Sequence, residues 1–155
     1  MLLIIIFYSI IVPTCVLLHE IGHGLGAVFA SNNHVHIYLG SKSDKNKEIF
    51  RLGRLHFHII WSYIGFAYWE GELSKRQRAI ALIGGPLMSL LLALLFGLLT
   101  LLGPRGDMQT FFWWITLVNF FQFAVTIIPM KYPRWMWGYS GDPSDGLQLL
   151  RLLKN

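Results

Sequence analysis

Hydrophobic and polar positions divide the chain into three long apolar runs separated by polar stretches. The runs cover roughly residues 2–30, 79–102 and 110–128. Each is long enough to cross a bilayer as a helix, which needs about 20 apolar residues. Between the first two runs, residues 34–39 and 49–60 alternate and are rich in β-branched and aromatic side chains, with a charged, turn-like stretch at 41–48. That pattern predicts a β-hairpin over about 34–60. The aromatic stretch 61–71 suits a membrane interface. Within the second run, Gly84-Gly85-Pro86 predicts a kink and a close approach by another backbone. After the third run, Pro133, Gly138, Gly141 and Pro143 break residues 130–144. A short helix over 146–153 then follows, with Ser144 or Asp142 as its cap. The expected fold is a membrane α-helical domain covering 1–155, with three transmembrane helices, a β-hairpin on the cytoplasmic side and a short C-terminal helix.

Composition supports the membrane reading. Of the 155 residues 54% are hydrophobic, above the share usual for a soluble domain. The first run lacks a basic leading region and is too long for a signal core, so it reads as a retained helix. A single cysteine, Cys15, excludes a disulfide framework within one chain; it reads as a small packing residue, or as a ligand one turn before His19. The net charge of +5 comes from basic residues that flank apolar runs and fill one loop, not from a nucleic-acid-binding face. Lys42, Lys45, Lys47, Arg51, Arg54, Lys75, Arg76 and Arg78 lie between the first two runs, whereas 103–109 holds only Arg105. The positive-inside rule therefore places the hairpin on the cytoplasmic side.

Three polar residues interrupt the first run, in the order His19-Glu20-Ile21-Gly22-His23. Ionisable groups are costly in hydrocarbon and usually mark function there. On a helix His19 and His23 lie one turn apart on one face and can reach one ion. Glu20 sits about 100° round from His19, beside the ion, where a carboxylate can serve as general base toward an activated water. The competing explanation is a polar pair that joins helices through hydrogen bonds. A catalytic zinc site takes a third protein ligand and leaves one position open. Asp142, Asp145, Glu70, Glu72 and the other histidines are all candidates on composition. His34/His36 and His56/His58 are i, i+2 pairs that face one side of a strand, as plain interfacial histidines, a second metal site or a pH-sensitive surface. Gly22 and Gly26 form a small-residue groove for a neighbouring helix. The Trp113-Trp114 pair and the aromatics of 135–139 read as interface anchors.

His19-Glu20-Ile21-Gly22-His23 within an apolar helix resembles the site-2 protease family of intramembrane zinc metalloproteases. Two further elements follow in that family's order. Gly84-Gly85-Pro86 resembles its Gly-Pro element, with Ser89 where asparagine often stands. Ile127-Ile128-Pro129 followed by Ser144-Asp145-Gly146 resembles its Asn-x-x-Pro and Asp-Gly element, with Thr126 or Ile127 in the asparagine region and a longer gap. The resemblance implies Zn2+ as cofactor, His19, His23 and Asp145 as ligands, with Asp142 the alternative to Asp145, and Glu20 as catalytic base. It implies peptide hydrolysis in membrane-spanning or membrane-adjacent substrates, with the lipid bilayer as the other partner. A catalytically silent peptide-binding homologue and a histidine-bound di-iron oxygenase are the competing functions. The retained Glu20 argues against the first, and the shortage of helical histidines against the second. Nothing in the sequence sets the oligomeric state.

Overall fold

The computed structural model describes residues 1–154. Three of its helices are long and apolar enough to cross a membrane: Leu2–Ala30, Lys75–Leu102 and Asp107–Ile127. A four-stranded sheet is inserted between the first and second. The first long helix comprises α1 (Leu2–Ile6), a π-helical turn (Phe7–Ile11) and α2 (Val12–Ala30). Pro13 accounts for the wide turn, because its ring crowds the carbonyl four residues back and it has no N–H to offer Ser9. The Ser9 carbonyl instead accepts a hydrogen bond from Trp61 Nε1 at 2.6 Å, which anchors the segment after the sheet to the helix.

The sheet contains β1 (Val35–Leu39), β2 (Glu48–Leu52), β3 (Leu55–Ile59) and β4 (Gly65–Trp69), in the order β2-β3-β1-β4. This differs from the hairpin expected over 34–60. The antiparallel hairpin is β2–β3, turning at Gly53, whose φ of +60° favours glycine. β1 pairs with β3 in parallel, with Val35 opposite Leu55, and β4 adds antiparallel to the other side of β1. Val35, Ile37, Leu55 and Phe57 face inward, where they pack with Ala27 of α2 and Ala81. The opposite face carries His34, His36, His56 and His58. Arg54 binds the carbonyls of Val28 (2.8 Å) and Ser31, so the β2–β3 turn closes off the end of α2.

α3 (Lys75–Leu102) starts with a capping box: Ser74 accepts from the Gln77 N–H, and Gln77 accepts from the Ser74 N–H. It runs antiparallel to α2 at very close range. A Cβ on Gly22 would strike the Gly84 carbonyl, and one on Gly84 would strike the Gly22 carbonyl. One turn along, a Cβ on Gly26 would come within 2.7 Å of the Ile80 carbonyl. α4 (Asp107–Ile127) packs on α3 and meets α2 through Asn119, whose amide donates to Cys15 Sγ at 3.2 Å. A 3₁₀ segment, Arg134–Tyr139, leads to α5 (Asp145–Lys154), the expected short C-terminal helix.

Gly84→Val should force α2 and α3 apart. Overpacking at a tight contact costs about 1–3 kcal/mol, and more where the obstacle is backbone. We expect a lower thermal midpoint for the detergent-solubilised chain, whereas Gly97→Val, where a Cβ meets nothing nearer than 3.6 Å, should leave it near wild type. Equal midpoints for the two variants would remove this contact from the account of the fold.

Candidate metal centre

His19 and His23 lie on the buried face of α2, one turn apart. Their side chains have few options because α3 lies so close. A Cβ on Gly85 would occupy the space of the His23 ring. His23 Nδ1 donates to the Ala81 carbonyl at 2.8 Å, so in the neutral ring, the form that binds a metal, Nε2 carries the lone pair. That carbonyl lies beside the turn in which Pro86 supplies no N–H to Leu82. His19 Nδ1 lies 2.8 Å from Ser89 Oγ, one turn further along α3. With both outer nitrogens engaged, the two Nε2 atoms converge to 3.2 Å.

Asp145 reaches the same point from a different part of the chain. Ser144 is fully buried, and its hydroxyl ties three backbone groups together across the end of α4 and the start of α5. It donates to the Ile128 carbonyl at 2.7 Å and accepts from the N–H groups of Met130 and Leu147, each at 3.1 Å. The last bond caps α5. Gly146 lets α5 start against the end of α4, since a Cβ there would strike the Ile127 carbonyl. Asp145 is thereby aimed inward, with Oδ2 3.5 Å from His19 Nε2 and 3.3 Å from His23 Nε2. Burial alone would raise the Asp145 carboxyl, but the imidazoles of His23 and His19 outweigh burial and hold it at about 2.

These three donor atoms form a triangle that suits one ion. Ligands about 2.0–2.1 Å from a tetrahedral metal stand roughly 3.3 Å apart, close to all three distances. Two nitrogens and a carboxylate oxygen with one open position could hold a metal ion, and each imidazole has an outer hydrogen bond of the kind that orients a metal ligand. Among the described residues, His19, His23 and Asp145 make the one group of three such donors able to share an ion.

The open side faces a cavity of about 540 Å³. Glu20 lines it and is buried, packed against Gly65, where a Cβ would come within 2.8 Å of its Cγ. β4 forms another wall, and its outer edge pairs with no strand among the described residues. Gly40 and Glu70 N–H groups bond to Ile64 and His34 carbonyls, so the groups of Gly65, Ala67 and Trp69 turn to that free edge. Tyr139 occupies the first of them: its hydroxyl accepts from the Gly65 N–H at 2.7 Å and donates to the Gly65 carbonyl at 3.0 Å. Burial, followed by the charge of Glu20, pushes the Tyr139 phenol up, so it stays protonated as a donor.

Of the residues singled out in the sequence, His19, Glu20, His23 and Asp145 come together. Asp142 is exposed on the rim and outside the donor group. Glu70 pairs with His36 on the sheet, and Glu72 is exposed. Cys15 contacts Asn119 and takes no part in the donor group. Ser89 stood out in the sequence only as the residue at the asparagine position of the Gly-Pro element, and the Ala81 carbonyl and the Tyr139 clamp had no signal beyond an aromatic in apolar surroundings. Comparison with protein-family models, with curated proteins and with solved structures finds no match to this chain.

Asp145→Ala should abolish zinc retention through dialysis, and Asp142→Ala should leave it intact, by metal analysis of the purified chain. The reverse result would reassign the third donor. Ser89→Ala, which removes only the outer partner of His19, should weaken zinc about 10- to 100-fold in competition with a chelator.

Proposed function

We propose that the protein is a zinc-dependent endopeptidase set within a lipid bilayer, cutting membrane-spanning or membrane-adjacent peptides. The observation that carries this reading is the convergence of His19, His23 and Asp145 on one point at a cavity that also holds Glu20. Zinc, when bound there, supplies Lewis-acid polarisation of a scissile carbonyl and acidifies a water. Glu20 takes the proton from the attacking water and passes it to the leaving amine. Binding alone requires no such base, which favours hydrolysis over a silent peptide-binding role. The outer edge of β4 offers the Ala67 carbonyl and the Trp69 backbone groups to an extended peptide, which would lie across the cavity as an added strand, while the Ala67 N–H faces Glu20.

The bilayer reading is supported by the outward faces of the long helices. Leu94 and Leu98 are more than half exposed and Leu101 is 80% exposed, an apolar surface with no counterpart on a soluble monomer. The basic residues of the sheet segment favour a cytoplasmic position for the sheet and the metal centre.

Reconstituted with a candidate membrane peptide, wild type should cleave, and chelation should stop cleavage until Zn2+ is returned. Glu20→Gln should keep its metal and lose about 10²- to 10⁴-fold in rate. Cleavage by Glu20→Gln at the wild-type rate would discard the proposed mechanism. Peptide binding without cleavage by metal-loaded wild type would favour the silent role.

A further inference from the structure

The four sheet histidines form a second imidazole array, on the sheet and outside the buried donor group, and unused by the proposed chemistry. β1 and β3 run parallel in register, so His34, His36, His56 and His58 share one face. They meet in two pairs. His34 Nδ1 lies 2.8 Å from His56 Nε2, and His36 Nδ1 lies 3.0 Å from His58 Nε2.

Hydrogen-bond accounting separates the pairs. A carboxylate and a carbonyl oxygen only accept, so any ring nitrogen facing one carries the hydrogen. In the first pair His56 Nδ1 donates to Glu48 Oε2 at 2.8 Å, which leaves Nε2 bare. His34 Nδ1 can donate to it, and the pair is satisfied with both rings neutral. In the second pair His36 Nε2 donates to Glu70 Oε1 at 2.9 Å, and His58 Nδ1 donates to the Asn46 carbonyl at 3.0 Å. Both inner nitrogens are then bare in the neutral rings. Two lone pairs face each other at 3.0 Å and require a cation between them.

We propose that His36 Nδ1 and His58 Nε2 form a second metal site, for a late first-row divalent cation, with water completing its coordination. Nitrogens about 2.0–2.1 Å from a metal at adjacent positions of a square or octahedral shell stand roughly 2.9 Å apart, which matches the pair. Each imidazole has its outer N–H bound by a carboxylate or a backbone carbonyl, the arrangement that orients metal-ligating histidine. His36 is 19% exposed at its side chain, so water can reach the open positions. Glu70 follows directly on β4, so an ion at this site joins β1 to β3 and braces the end of the strand that borders the cavity.

The test uses the tag-free full chain in lipid nanodiscs, carrying His19→Ala and His23→Ala so that the buried centre cannot contribute. Cu2+ is titrated in, and the bound ion is read by electron paramagnetic resonance. We expect one Cu2+ per chain with hyperfine coupling to two imidazole nitrogens. His58→Ala should cost at least about tenfold in affinity and Glu70→Ala about 10- to 100-fold, with His34→Ala unchanged. No Cu2+ bound by the parent would mean that a proton alone sits between the rings, and the proposal would fall. Equal binding by His58→Ala and its parent would also overturn it. If the parent does not fold, wild type with its buried centre filled by Zn2+ takes its place, and the same outcomes decide. Because the parent lacks the buried donor set, loss of peptidase activity and loss of this site are separate results.

Discussion

The placement of both buried imidazoles follows from two backbones that touch. α2 and α3 meet at Gly22 and Gly84 with no side chain between them. At an ordinary helix separation of 8–10 Å, His23 could not reach a main-chain carbonyl on its neighbour. Here it lies over Gly85 and donates to Ala81, while His19, a turn away, meets Ser89. The antiparallel run continues to Gln77, whose amide donates to the Ala30 carbonyl at 3.0 Å. The imidazoles are thus held by the partner helix, and the direction of their Nε2 atoms is settled before any ion arrives. That preorganisation is what a metal ligand needs from its surroundings.

The same economy of polar groups runs through the rest of the long helices. In an apolar setting every freed backbone group must find a partner inside the protein. Pro13 leaves the Ser9 carbonyl without its helical donor, and Trp61 supplies one. Thr14, Thr100, Thr116 and Thr126 return their hydroxyls to carbonyls four residues back. Ser144, with no exposure at all, satisfies three groups at once where α4 ends and α5 begins. Two of these anchors also fix positions near the site. Trp61 pins the segment that leads into β4, and Ser144 aims Asp145.

The helices and the histidine motif could be read from the sequence because both depend on local pattern. Hydropathy over some twenty residues marks a long helix, and a four-residue spacing marks one helix face. The sheet was less accessible. Alternation shows that 34–39 and 49–60 are extended and two-faced, but carries no information on strand order or direction. The parallel pairing of β1 with β3 depends on where Arg54 anchors the β2–β3 turn to the end of α2. β4 was hidden because Gly65–Trp69 shows no clean alternation of buried and exposed positions and its aromatics look like interface anchors. The resemblance of Ser144-Asp145-Gly146 to a family element singled out Asp145, but the physical reason lies in tertiary contacts. Asp142 sits three residues earlier in the same loop, and only the buried Ser144 hydroxyl and the bare Gly146 decide which carboxylate turns inward.

The two imidazole pairs answer one chemical problem in different surroundings. In both, the outer nitrogens are committed to protein acceptors or a hydroxyl, and the inner ones converge. In the helical pair the third side of the triangle is a carboxylate, and only one direction stays open, toward the cavity. A closed donor set of this kind could hold an ion with one position left open. In the sheet pair no third His, Cys, Asp or Glu donor joins among the described residues, and water would supply the remaining ligands of an ion there. An ion held by two imidazoles and water exchanges readily with its surroundings. Placed at the end of β4, such an ion would make the stiffness of that edge depend on metal supply.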